Sequence, residues 1–130
     1  MALTASDVMT KSVVTATPSM SVDDVAKLLA ERGISGVPVL GDDKRVIGII
    51  TEADILSRKR NQTTVRSLMS TEIIAVGEDE PVSEVAFLLW AKRINRVPVL
   101  RDGELVGIVS RADVVRAMAD VALASMAGDR

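Results

Sequence analysis

One pattern is written twice in this chain, and a chain built that way folds into two copies of one backbone. Ile34-Ser35-Gly36-Val37-Pro38-Val39-Leu40 returns as Ile94-Asn95-Arg96-Val97-Pro98-Val99-Leu100. Val46-Ile47-Gly48-Ile49-Ile50-Thr51-Glu52-Ala53-Asp54-Ile55 returns as Leu105-Val106-Gly107-Ile108-Val109-Ser110-Arg111-Ala112-Asp113-Val114. Val8-Met9-Thr10 is likewise answered by Leu68-Met69-Ser70. The offset is 60 residues up to the Val-Pro-Val block (38 to 98) and 59 after it (54 to 113). The lost residue falls in a polar turn, where Gly41-Asp42-Asp43-Lys44-Arg45 is matched by the shorter Arg101-Asp102-Gly103-Glu104. Length changes confined to a turn leave the repeated backbone intact. Pseudo-twofold symmetry would then set equivalent residues face to face across a shared cleft, a natural place for a ligand.

Each repeat has the same reading. Val13-Val14 and Ile73-Ile74 form short extended runs. Ser21 caps the first long helix, Asp24 favours its first turn, and Gly33 ends it. Val22, Val25, Ala26 and Leu29 fall on one apolar helical stripe, as do Val82, Val85, Ala86 and Leu89. Val37 to Leu40 with Val46 to Ile50, and Val97 to Leu100 with Leu105 to Val109, make hairpins with loops of four or five residues. Thr51 and Ser110 open the closing helices, the second running through Met118 and Val121 toward Met126. The expected fold class is α+β: two pseudo-twofold-related strand-helix-strand-strand-helix repeats. Repeat one is expected over 1–60, a linker over 61–64, and repeat two with a helical extension over 65–130.

Composition narrows the function. The chain has no cysteine and no histidine. That excludes disulfides, thiolate nucleophiles, Cys/His zinc sites and every Ser-His or Cys-His catalytic pair. A net charge of −2 gives no general pull toward nucleic acid, which is not expected as a partner. Arg58-Lys59-Arg60 with Arg66 reads as a solvated helix end. No apolar run approaches the roughly 18 residues of a membrane helix, and the start of the chain lacks the pattern of a secretion signal. A cytoplasmic protein with no membrane association is the expectation. The acidic runs Glu78-Asp79-Glu80 and Asp23-Asp24 read as helix openings rather than metal sites. No phosphate loop or dinucleotide glycine fingerprint occurs. The reading assigns no catalytic residue and no metal ligand, so no enzyme is expected.

The informative motif is a hydroxyl, two residues, then aspartate, directly after a buried strand: Thr51-Glu52-Ala53-Asp54 and Ser110-Arg111-Ala112-Asp113. Two readings stand. In one, Thr51 or Ser110 caps the helix and the acid offsets its dipole. In the other, free backbone N–H groups, a hydroxyl and a short carboxylate converge where a ribose diol could bind. Two details favour the second. Reciprocal caps use Glu or Gln at the third position, and Asp is one carbon shorter. The aspartate is also kept in both copies while its neighbour reverses charge, Glu52 against Arg111.

This order of motifs resembles a CBS (cystathionine beta-synthase) domain, and two in tandem resemble a CBS pair, or Bateman module. The likeness covers roughly residues 6 to 120. It implies a regulatory fold that binds adenosine-containing ligands (AMP, ADP, ATP or S-adenosylmethionine) in clefts between repeats, with no required cofactor. It also implies a dimer formed by packing helices of two pairs. Carried over by motif, one cleft would use Ser110 and Asp113 for the ribose. Thr10, Lys11, Ser12, Val13, Val14, Ile34, Ser35, Gly36, Ile108 and Arg111 would lie around it, with Arg96 matching a position that meets phosphate. A second, weaker cleft would use Thr51 and Asp54, with Ser70, Ile73, Ile74, Ile94 and Asn95. Gly36 stands where repeat two has Arg96, so the cation is missing there.

Charge sharpens that contrast. Lys11, Arg96 and Arg111 accompany Asp113, whereas Glu52 and Glu72 accompany Asp54. The Asp113 cleft is therefore expected to take a phosphorylated ligand first. Phe87 and Trp90, the only aromatics, are expected to anchor a homodimer. The reading is a ligand-sensing module acting on a downstream protein. The alternative is a structural or adaptor dimer whose clefts are vestigial.

Overall fold

A computed structural model describes residues 3–128, with side chains through residue 122. The chain divides into two compact units. Among the described residues, one comprises 3–13, Ile74–Asp102 and 106–128; the other comprises Val14–Ile73 and Gly103–Leu105. We call them the Asp113 unit and the Asp54 unit. The division crosses the repeats: Val8-Met9-Thr10 packs with the body of repeat two, and Leu68-Met69-Ser70 with the body of repeat one.

In the Asp113 unit the chain opens with a one-turn helix, α1 (Ala5–Val8). In the Asp54 unit follow α2 (Val22–Arg32), the antiparallel strands β1 (Gly36–Leu40) and β2 (Val46–Thr51), α3 (Glu52–Leu56) and the one-turn α4 (Val65–Leu68). The remainder is β3 (Val76–Gly77), α5 (Val82–Ala91), β4 (Arg96–Arg101), β5 (Glu104–Ser110) and α6 (Arg111–Gly128), with strand order β3-β4-β5.

The helices form where the pattern puts them. Ser21 Oγ accepts the Asp24 N–H at 3.0 Å, and Gly33 closes α2 in the left-handed region at φ 62°. Val22, Val25 and Leu29 turn inward, as do Val85 and Leu89 on α5. Each unit has its own aliphatic core. Val85, Val97, Val99 and Val109 are fully buried in one; Val25, Val37, Val39, Ile50 and Val65 are fully or almost fully buried in the other. Among the described residues, no helix is long and apolar enough to cross a membrane.

Two local expectations are corrected. The extended runs at Val13-Val14 and Ile73-Ile74 are not the paired segments. Parallel pairing falls later, at Ala16 with Val39 and at Val76-Gly77 with Val99-Leu100. Ala16 and Val76 are buried there, whereas the four expected residues are half-buried. The second hairpin loop is also shorter than expected. Arg101 and Glu104 belong to the strands, leaving only Asp102 (φ 53°) and Gly103 (φ 82°) to turn. Two successive positive φ values match the twist of the flanking strands, and Asp-Gly is well suited to adopt them.

The linker over 61–64 is bound into the Asp54 unit. The Val22 N–H donates to Thr63 O at 2.9 Å, and the Val65 N–H donates to Met20 O at 2.9 Å. Arg58, from the basic run, reaches Asp23 at 3.1 Å.

Candidate functional site

Each unit builds a similar corner from a strand end, a helix start and a borrowed segment. In the Asp113 unit, the Thr10 N–H donates to Ile108 O (2.8 Å) and the Ile108 N–H donates back to Thr10 O (3.0 Å). The Arg111 N–H donates to Asn95 O at 2.9 Å, joining the end of β5 to the start of β4. Thr10, Asn95, Arg96, Ile108, Ser110, Arg111 and Asp113 are thereby gathered in one unit, with Lys11, Ser12, Val13, Ile74 and Ile94. In the Asp54 unit, Ser70 and Ile49 exchange the same pair of bonds (2.8 and 2.9 Å), and the Glu52 N–H donates to Ser35 O at 2.8 Å. Ser35, Gly36, Thr51, Asp54 and Ser70 are gathered there, with Val14, Ile34 and Ile73.

Close packing explains the glycine inside each second strand. A Cβ on Gly48 would stand 2.7 Å from Met69 Sδ and 3.0 Å from Ser70 O. A Cβ on Gly107 would collide with the Met9 side chain. The paired Gly and Met of each corner thus seat the segments that carry Ser70 and Thr10.

The aspartates correct one expectation. Asp at the third helical position does reach back. The Thr51 N–H donates to Asp54 Oδ2 at 2.9 Å, and the Ser110 N–H donates to Asp113 Oδ2 at 2.8 Å. In return, Thr51 Oγ1 and Ser110 Oγ accept the aspartate N–H groups at 3.4 and 3.2 Å. The shorter side chain suffices because the capping residue is the extended end of a strand (Thr51 at φ −126°, ψ 168°), which brings its N–H toward the first turn. Thr4 and Asp7 make the same reach-back at 2.7 Å at the exposed start of α1.

The cap does not consume the carboxylates. A carboxylate offers about four acceptor positions. Asp54 Oδ2 accepts from both the Thr51 N–H and, at 3.0 Å, the Thr51 hydroxyl, and Oδ1 has no hydrogen-bond partner among the described residues. Asp113 Oδ1 accepts from Arg116 Nη1 at 3.2 Å. Asp113 is buried at 8% exposure, the only buried charged side chain among the described residues; Asp54 is half-buried.

The cations divide differently from the sequence reading. Arg96 lies half-buried in β4, opposite in kind to the buried Gly36 of β1, where a Cβ would stand 3.0 Å from Ile50 O. Lys11 is exposed. Arg111 turns to the carboxyl end of α5, donating from Nε to Ile94 O at 2.8 Å and from Nη2 to Leu89 O at 3.4 Å. It offsets the negative end of that helix. The cation that meets Asp113 is instead Arg116, a residue the motif analysis passed over. Its signal lay one turn beyond the motif, where repeat one has Ser57.

The CBS domain model matches residues 5–61 and again 65–120. A structure of CBSX2 in complex with AMP is similar at 31% identity and a TM-score of 0.86, covering 92% of this chain and 98% of that one. The CBS domain pair of protein MJ0100, in complex with 5-methylthioadenosine and S-adenosyl-L-methionine, is similar at 31% identity and a TM-score of 0.83, with the same coverage. L-aspartate semialdehyde sulfurtransferase of Methanocaldococcus jannaschii is 34% identical over 112 residues, 85% of this chain. The chain spans only 22% of that enzyme's length. Two matched segments, one fold and one repeated corner agree: the chain belongs to the CBS domain family, as a tandem pair.

Proposed function

We propose that this chain is a regulatory ligand-sensing module of the cytoplasm, without catalysis of its own, that binds an adenosine nucleotide or derivative. Ser110 and Asp113 hold the ribose of one ligand, with Thr10, Ser12 and Ile108 beside it and Arg96 toward the phosphate. Thr51 and Asp54, with Ser70, serve a second and weaker ligand. The observation that carries this reading is the buried Asp113 at the strand-to-helix corner, in a chain similar at 31% identity to a protein solved with AMP. Switching then follows from different affinities of the ligand for two arrangements of the protein. Phe87 and Trp90, exposed by 62% and 74%, join two copies.

A second reading has its own support. The reach-back hydrogen bonds give Asp54 and Asp113 a structural task that needs no ligand. An adaptor dimer with vestigial binding corners would keep the aspartates for that reason alone. A thermal-shift panel of AMP, ADP, ATP, S-adenosylmethionine and NAD separates the two. At millimolar ligand, a dissociation constant of about 0.1 mM stabilises the folded state by roughly 1.4 kcal/mol, a visible rise in Tm. A response to an adenosine ligand supports the sensor. No response to any of the five supports the adaptor.

A further inference from the structure

We infer that Arg116 sets the ligand-charge preference of the Asp113 corner, making it the site for phosphorylated adenosine. The inference rests on the reading that Asp113 holds a ribose. Asp113 and Arg116 lie one turn apart on α6, with Nη1 3.2 Å from Oδ1. The Asp113 side chain is 9% exposed and the Arg116 side chain 68%. Arg116 therefore covers one edge of the carboxylate while most of its side chain remains open to solvent. Five N–H donors on a guanidinium leave several for other partners.

The equivalent helical position in repeat one is Ser57. Its hydroxyl donates to the Asp54 carbonyl at 3.0 Å and does not touch the carboxylate. Asp54 and its neighbour Glu52 thus present two negative charges, whereas Arg116 neutralises Asp113 and its neighbour Arg111 is a cation that turns to the α5 carbonyls. A ribose hydroxyl can bind either carboxylate, because each retains acceptor capacity. The two corners differ in what they do to a charge carried farther along the ligand. Over roughly 7 Å in a partly solvated corner, one unit charge changes the affinity of an anion by about fivefold or more, less at high salt. An uncharged nucleoside feels almost none of this. Arg116 accordingly selects for phosphate without being a phosphate ligand, and Ser57 leaves Asp54 to neutral or cationic adenosyl compounds.

The test compares AMP with adenosine on the same protein, so that general loss of structure cancels. In full-length protein carrying Asp54→Asn, calorimetry gives both affinities with and without Arg116→Ser. Arg116→Gln, which keeps side-chain length and hydrogen bonding but not charge, is the second variant. The AMP-to-adenosine affinity ratio is expected to fall about fivefold in both variants at low salt, and the drop to shrink at 0.5 M salt. The reciprocal change, Ser57→Arg in protein carrying Asp113→Asn, is expected to raise that ratio. An unchanged ratio in Arg116→Ser and Arg116→Gln, with AMP still bound, overturns the inference and leaves the ribose reading standing. If Asp54→Asn protein binds neither ligand even with Arg116 present, the ribose reading itself fails and the inference falls with it.

Discussion

Thr10 and Ile108 exchange both of their backbone hydrogen bonds, at 2.8 and 3.0 Å, although they come from opposite ends of the chain. Ser70 and Ile49 do the same in the other unit. A hydroxyl residue near the start of each repeat is thereby anchored beside the strand that leads to the other repeat's aspartate. The corner depends on that anchoring, and the anchoring depends on a glycine with room for a methionine.

Gly48→Ala is predicted to cost about 1–3 kcal/mol, because its methyl group meets the Ser70 carbonyl as well as the Met69 sulfur. Gly107→Ala is predicted to fall in the same range, with the Met9 side chain as its nearest obstacle. Shortening Met9 to Ala in the Gly107→Ala protein should recover part of the loss. Urea unfolding of the single and double variants measures both. An undiminished midpoint for Gly48→Ala contradicts the packing described here.

Arg93 occupies the left-handed position (φ 55°) after α5 that Gly33 holds (φ 62°) after α2. A side chain there is strained by its own backbone, whatever the space around it. Arg93→Gly is predicted to raise stability by about 1 kcal/mol, and Gly33→Ala to lower it by a similar amount although its Cβ would meet nothing within 4 Å. Opposite shifts in urea midpoint are the expected result.

Glu78 and Arg101 form a bidentate ion pair with a shortest distance of 2.7 Å. The hydrogen bonds from Arg101, joined by its charge, hold the Glu78 carboxyl below the usual glutamate value of 4.5. A depressed folded-state pKa contributes stability above the unfolded value, and that contribution is lost as pH falls through the folded value. Glu78→Gln is therefore predicted to lower Tm slightly at pH 7, with the gap to the parent closing as pH falls below 4.5 and through the folded-state value. A gap that persists or widens in acid contradicts the assignment.

Phe87 and Trp90 stand 6.3 Å apart between ring centroids on the solvent side of α5, and Val115, Met118 and Val121 are exposed on α6. The α2 counterparts of the two aromatics are Lys27 and Ala30, so only repeat two displays such a face. Light scattering at micromolar concentration is predicted to give the mass of two copies. Trp90→Ala should raise the dimer dissociation constant about tenfold or more. A monomer unaffected by Trp90→Ala removes these residues from any interface.

Much of the fold was legible in the sequence because duplication and periodicity are one-dimensional. Val22, Val25 and Leu29 announced the buried face of α2, and Val-Pro-Val announced β1 and β4. The exchanged segments were visible as the repeated Met9-Thr10 and Met69-Ser70, yet their partners were not, since pairing with Ile108 and Ile49 is a property of the folded chain. Side-chain length and the Glu52/Arg111 contrast do not reveal the reciprocal cap, because it depends on the extended backbone of Thr51, which carries its N–H to the carboxylate. Arg111 and Arg116 were separable only in three dimensions: both follow β5 closely, but one turns to the carbonyls of α5 and the other to Asp113.

Calorimetric titration of AMP into the parent protein, Asp54→Asn, Asp113→Asn and the double variant tests the central claim most directly. Asparagine keeps an oxygen for the capping N–H but not the charge, so the helix starts survive. Saturable binding is predicted in the parent, weakened about tenfold or more by Asp113→Asn, little changed by Asp54→Asn, and absent from the double variant. Undiminished AMP binding in the double variant, or loss of binding on Asp54→Asn with Asp113→Asn unaffected, contradicts the account.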